Sequence, residues 1–177
     1  MSHPLAFANQ SLYHAGILLS ALSHAKASGE APERAITLAF AAPVQARLLD
    51  GYGWLLLAAC RIRQAPESPP HSVDDLPPLP AGLVHPAEVE ACAQLELNGW
   101  IADLKSPVDR QPAVRPANSL AVEVVTSLEQ FQDWSTRLRD LAAHIADAID
   151  ESKLEPIRAG EWQRPVQSVT VDPRYVT

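Results

Sequence analysis

A chain of 177 residues, 47% of them hydrophobic, has the length and the apolar material for one domain with its own core. Its formal net charge is -7, from 21 acidic and 14 basic side chains, and only three of the basic ones are lysines. Non-specific nucleic-acid binding needs a cationic face that displaces counterions, so an acidic chain with no basic run argues against it and leaves room only for a small local site.

The opening, MSHPLAFANQSLYHAGILLSAL, lacks the basic segment of a secretory signal. The longest unbroken apolar run, WLLLAAC at residues 54–60, is far shorter than the ~20 residues of a membrane span. The expected location is therefore the cytoplasm, with no membrane contact. In that reducing compartment Cys60 and Cys92 read as buried thiols, since neither sits in a CxxC pair.

The first helix is predicted over residues 9–26, where Leu12, Ala15, Gly16, Leu19 and Leu22 recur at helical spacing. Gly29 is placed to stop it. The second helical region begins near Pro32 and runs to about Gln64, with a kink or break expected at Pro43 because proline removes a backbone donor. Gly51 and Gly53 each weaken this helix by roughly 1 kcal/mol and are tolerable where a neighbour packs closely on them. Arg61 and Arg63 near its end suit the negative pole of the helix dipole.

Residues 65–86 contain seven prolines and read as an extended connector, partly polyproline-like. A proline-rich ligand for a partner domain is the alternative; a connector that lets two helix pairs dock is simpler. A third helix starts near Pro86, is interrupted at Asn98 and Gly99, and continues over residues 100–105. Residues 119–125, SLAVEVV, read as a short strand or an extended lead-in. Ser127 with Gln130 three residues on is a capping box. It opens a long amphipathic helix ending near Ser152, with a stripe of Leu128, Phe131, Trp134, Leu138, Leu141, Ile145 and Ile149.

The residues after 152 form an extended, aromatic-bearing tail in which Trp162 and Tyr175 are the candidate partner-binding contacts. A short β pairing between residues 166–171 and 119–125 would account for both β-like stretches. The expected fold is all-α: an antiparallel four-helix bundle over residues 1–152, with the proline-rich connector inside it and the tail at 153–177.

One stretch spells a chemical motif. RDLAAH, residues 139–144, matches the Arg, polar, then His signature of HEPN-type ribonucleases, in which the pair helps cleave an RNA backbone by proton transfer and charge stabilisation. With eleven arginines and six histidines, the same spelling also arises by chance on a solvated helix face. Positions five apart on a helix point about 140° away from each other, which disfavours a joint site for Arg139 and His144. No HxxH, HxxxH, HExxH or Glu-x-x-His spacing offers a metal site, and no GxGxxG, GxxxxGK or GxSxG pattern is present. Ser23 beside His24 reads as a coincidence of neighbours rather than an acyl-transfer dyad. Trp54, Trp100 and Trp134 read as packing residues.

Four segments, NQSLYHAGILLSAL, LLDGYGWLLLAAC, NGWIADL and LAVEVVTSLEQFQDWSTRLRDLA, together resemble a small family of proteins from Pseudomonas-like proteobacteria, defined as a domain of unknown function. The resemblance covers about residues 8–150. It implies a helical cytoplasmic protein and no particular reaction, and the family's pattern carries no Arg–His pair at 139 and 144.

The function expected from the sequence is a non-catalytic helical interaction or regulatory module that binds a protein partner or itself as a homodimer, without a cofactor or metal. The runner-up is a HEPN-like ribonuclease using Arg139 and His144. A third reading is a ligand-binding bundle with a pocket near Tyr52, Trp54 and Trp100.

Overall fold

The structure, a computed structural model, describes residues 3–62, 65–78, 85–108 and 126–154. Among the described residues five α-helices pack together: α1 (Pro4–Ser28), α2 (Glu33–Ala59), α3 (Ala87–Asn98), α4 (Trp100–Lys105) and α5 (Leu128–Leu154). A single 3-10 turn, Val73–Asp75, punctuates the proline-rich connector. There is no strand among the described residues. The β-like stretches at 119–125 and 166–171, and the tail with Trp162 and Tyr175, lie outside them.

α1 starts five residues earlier than the periodicity predicts. Pro4 occupies the first turn, where its missing N–H is no loss, and the His3 Nδ1 accepts a hydrogen bond from the Leu5 backbone N–H at 3.2 Å. At the other end Gly29 adopts φ 66°, the left-handed conformation that closes a helix. Ala8, Leu12, Ala15, Leu19 and Leu22 form the buried stripe, most of it against α2. The approach is close because Gly51 of α2 faces Leu12: a Cβ on that glycine would sit 2.9 Å from the Leu12 Cδ2.

α2 departs from the sequence reading in its end, and of the kink or break expected at Pro43 it excludes the break. Pro43 neither breaks the helix nor ends it, and α2 runs on to Ala59. Buried residues on both sides of the proline, Ile36, Thr37 and Ala41 before it and Val44, Gln45 and Leu48 after it, carry the packing across the lost hydrogen bond. The end also falls earlier than Gln64. Cys60 caps the helix, the Arg61 N–H reaches the Ala58 carbonyl at 2.9 Å and the Ile62 N–H reaches the Leu57 carbonyl at 3.1 Å. These two bonds are a Schellman closure, and Arg61 takes its left-handed position at φ 54° with no glycine there. Arg61 is thus beyond the helix rather than in its last turn, and Arg63 lies outside the described residues.

The connector folds back on α2 at Gly53, where an added Cβ would collide with the Pro70 carbonyl and the Pro69 ring. α3 and α4 meet at Asn98 and Gly99 as the sequence predicts. The Gln45 amide reaches over from α2 and donates to the Leu104 and Ser106 carbonyls at 2.7 and 2.6 Å, satisfying the end of α4. α5 begins on the predicted cap, with the Ser127 Oγ accepting from the Gln130 N–H at 3.2 Å. Phe131, Trp134, Leu138, Ala142 and Ile145 are its buried face, and the Phe131 and Trp134 rings meet edge to face at 5.5 Å. No helix among the described residues is long and apolar enough to cross a membrane.

Candidate functional site

Arg139 and His144 are both exposed on α5. They do not come together: Arg139 turns onto α1, while His144 is not among the residues that surround it there. The meeting point on α1 is Gly16, where a Cβ would stand 2.9 Å from an Arg139 Nη2. Glycine inside a helix costs about 1 kcal/mol relative to alanine. At position 16 the missing side chain is what lets a guanidinium lie against the neighbouring helix.

The seam between α1 and α5 opens here into a cleft of about 370 Å³. α1 contributes Ser20, Ser23 and His24 to its wall, and α5 contributes Gln132, Ser135 and Arg139. Helical spacing puts 16, 20 and 23 on one face of α1 and 132, 135 and 139 on one face of α5. No lining residue is acidic, in a chain with a surplus of seven carboxylates. Arg139 has neither a hydrogen bond nor an ion pair among the described residues.

Ser135 adds a second anomaly. It is 1% exposed, it sits on the core side of α5 next to Trp134, and its Oγ has no hydrogen-bond partner among the described residues. A buried hydroxyl left without a partner costs roughly 1–3 kcal/mol. Thr136, by contrast, donates its hydroxyl to the Gln132 carbonyl at 3.0 Å. The described lining of the cleft thus includes an arginine, a histidine, a glutamine and three serines, of which the Ser135 hydroxyl is sealed beneath the surface, and no carboxylate.

The sequence singles out Arg139 only with His144, in the runner-up reading, whereas the described residues around Arg139 at the α1–α5 seam include His24. His24 and the serines at 20, 23 and 135 went unseen as a group, because they come from helices more than 100 residues apart. Two local signals pointed to them: Gly16 inside an otherwise well-formed helix, and a serine on the buried side of the α5 stripe.

The aromatic residues proposed to form a ligand pocket are otherwise engaged. Tyr52 is fully buried, with its hydroxyl donating to the Glu96 Oε1 at 2.6 Å. Trp54 packs on Phe7 with ring centroids 4.9 Å apart, and Trp100 lies beneath the Arg137 guanidinium at 5.9 Å. A cavity of about 540 Å³ does exist under the connector, but its walls are Leu57, Ile62, Pro66, Pro69 and Pro70 with neighbouring polar groups, and none of those three aromatic residues.

Glu96 is the most heavily bonded carboxylate in the described part of the chain. Besides Tyr52 it accepts from the Ser72 hydroxyl at 2.6 Å, the Val73 N–H at 3.0 Å and the Lys105 ammonium at 3.1 Å. Burial alone would raise its pKa, but the bonds from Ser72, Tyr52, Lys105 and the Val73 backbone outweigh that and hold it below the ordinary value. Glu96, on α3, takes these donors from α2, α4 and the connector, and so is a structural knot. Nearby, burial pushes the Cys92 thiol up to about 11, against a lowering contribution from its hydrogen bond with Tyr52, so it is an inert core thiol. Cys60 is half-buried and also raised by burial.

Among the described residues no group of three or more His, Cys, Asp or Glu side chains is placed to hold a metal ion. No family model, no curated protein and no solved structure matches the chain.

Proposed function

We propose that this chain is a non-catalytic helical binding module, and that its ligand is recognised in the α1–α5 cleft through an anionic group. The observation that carries this reading is Arg139: a guanidinium seated on Gly16, with no ion-pair partner among the described residues, in a cleft whose described lining has no carboxylate. Arginine's planar fork of donors is suited to oxyanions, and charged hydrogen bonds of this kind are about twice as strong as neutral ones. The absence of any hydrogen bond between His24 and the cleft serines among the described residues favours binding over nucleophilic chemistry, which needs a base in contact with its nucleophile.

The supporting scaffold is an antiparallel four-helix bundle of α1, α2, the α3–α4 pair and α5. Lys26 at the end of α1 pairs with Glu33 at the start of α2 and shares a cavity with Ser127 and Glu129 at the start of α5. At the opposite end, Arg61 after α2, Glu88 at the start of α3 and Ile149 late in α5 line one small cavity. These neighbours favour α1 and α3–α4 running one way and α2 and α5 the other.

The test is thermal unfolding of the full chain at constant ionic strength. A small aryl anion, phenyl phosphate or benzoate, at about a hundred times its dissociation constant stabilises by about 2.7 kcal/mol, a rise of about 5 to 10 °C. The rise is expected in wild type and absent in Arg139→Ala. Equal responses from the two proteins contradict the reading. RNA incubated with the protein is expected to stay intact; cleavage that disappears in His144→Ala would replace this reading with the ribonuclease one.

A further inference from the structure

We infer that the outer face of α1 is a docking surface for a second copy of this chain, which joins it antiparallel about a two-fold axis. From His3 to Ala25 there is no Asp, Glu, Lys or Arg, in a chain with 21 acidic and 14 basic side chains. The solvent side of α5 is of the opposite kind, with Glu129, Asp133, Arg137, Asp140 and Asp147 all exposed. A helix that carries apolar residues all round is suited to being covered all round. The inner side of α1 is covered by the core, yet its outer side leaves Tyr13 67% and Ile17 51% exposed.

The exposed residues Ala6, Gln10, Tyr13, Ile17, Ser20 and His24 follow one another at alternating steps of four and three, the seam of a coiled coil. The steps read the same from either end. About a two-fold axis level with Ala15, Tyr13 of one copy therefore meets Ile17 of the other, Gln10 meets Ser20, and Ala6 meets His24. Apolar side chains meet at the centre and an amide meets a hydroxyl on either side, so one surface complements itself, as a two-fold interface requires. The antiparallel arrangement also opposes the two helix dipoles. The strip is about 37 Å long, from the 25 residues of α1, and about 14 Å wide, a third of the girth of a helix with its side chains. It supplies about 500 Å² on each copy and about 1,000 Å² for the pair, the threshold of a specific interface and well below an obligate one. The dimer is accordingly reversible. The net charge of -7 repels the copies elsewhere, and the uncharged face is where approach costs least.

The experiment is sedimentation equilibrium of the full chain from micromolar to millimolar concentration. The wild-type mass is expected to rise from 19.2 kDa toward twice that value, and to do so more readily as added salt screens the repulsion between copies. Ile17→Lys is expected to stay monomeric with unchanged helical circular dichroism. Leu97→Lys, which alters an equally exposed apolar residue on α3, is expected to associate like wild type. The double variant Gln10→Lys with Ser20→Glu sets opposite charges across the two-fold axis and is expected to dimerise, whereas Gln10→Lys with Ser20→Lys is not. A wild-type mass of 19.2 kDa at every concentration overturns the dimer. Association of Ile17→Lys as strong as wild type overturns α1 as its surface. Equal behaviour of the two double variants overturns the antiparallel pairing.

Discussion

Gly16 and Arg139 act as one unit across two helices, and neither is understandable alone. The glycine weakens α1 locally, and its return is the seat of a guanidinium. Only part of this was legible: the RDLAAH spelling drew attention to Arg139, but a motif read along one helix pairs residues by sequence distance. Five positions place His144 about 140° round from Arg139, whereas His24 is brought to the same cleft by helix packing. No one-dimensional pattern carries that information. Arg61 offers a cleaner residue-scale test. It holds φ 54°, a conformation that costs a side-chain-bearing residue about 1 kcal/mol or more and costs glycine little. Arg61→Gly is expected to raise the unfolding free energy by about 1 kcal/mol in urea titration, with an unchanged slope. A destabilised Arg61→Gly would mean that its side chain contributes more than the strained backbone loses.

At the level of elements, positions that announce themselves were read well and positions that depend on neighbours were not. Ser127 and Gln130, Gly29, and the Asn98–Gly99 interruption are local chemistry, and the helices begin or end there as expected. Pro43 reads as a kink or a break because a proline is a local signal too, yet the helix continues through it, with buried residues on both sides. The arginine-filled closure at 60–62 gave no glycine to read. Glu96 was equally hidden, since its four donors come from residues 52, 72, 73 and 105. Glu96→Gln leaves at least one of those donors facing an amide N–H, and is expected to cost about 1–3 kcal/mol at neutral pH. The folded-state pKa of Glu96 is lowered, so its contribution is present above the ordinary carboxylate range and is lost as pH falls through and below it. The gap between wild type and Glu96→Gln, measured by urea unfolding, should therefore be full at pH 7 and close below about pH 4. A gap that persists unchanged in acid would show that the ionised carboxylate is not what ties the connector to α3.

Across the whole molecule, apolar stripes from α1, α2 and α5 are consumed against each other, with Tyr52, Phe131, Leu48, Leu138 and Ile145 all essentially inaccessible. Composition and periodicity foretold that all-helical core because burial is an average property of many residues. The cleft was not foretold, because it is an exception to that average: a strip where two helices meet through Gly16, serines and Arg139 instead of through leucines. It is also an exception to the net charge of -7, as its lining carries no acid. The account stands on that strip being a binding site. The most direct measurement is an amide chemical-shift titration of the full chain with phenyl phosphate. The account predicts saturable shifts centred on Gly16, Ser20, Ser135 and Arg139, absent in Arg139→Ala. Shifts centred on the connector cavity around Leu57 and Pro69, or none at all, would contradict it.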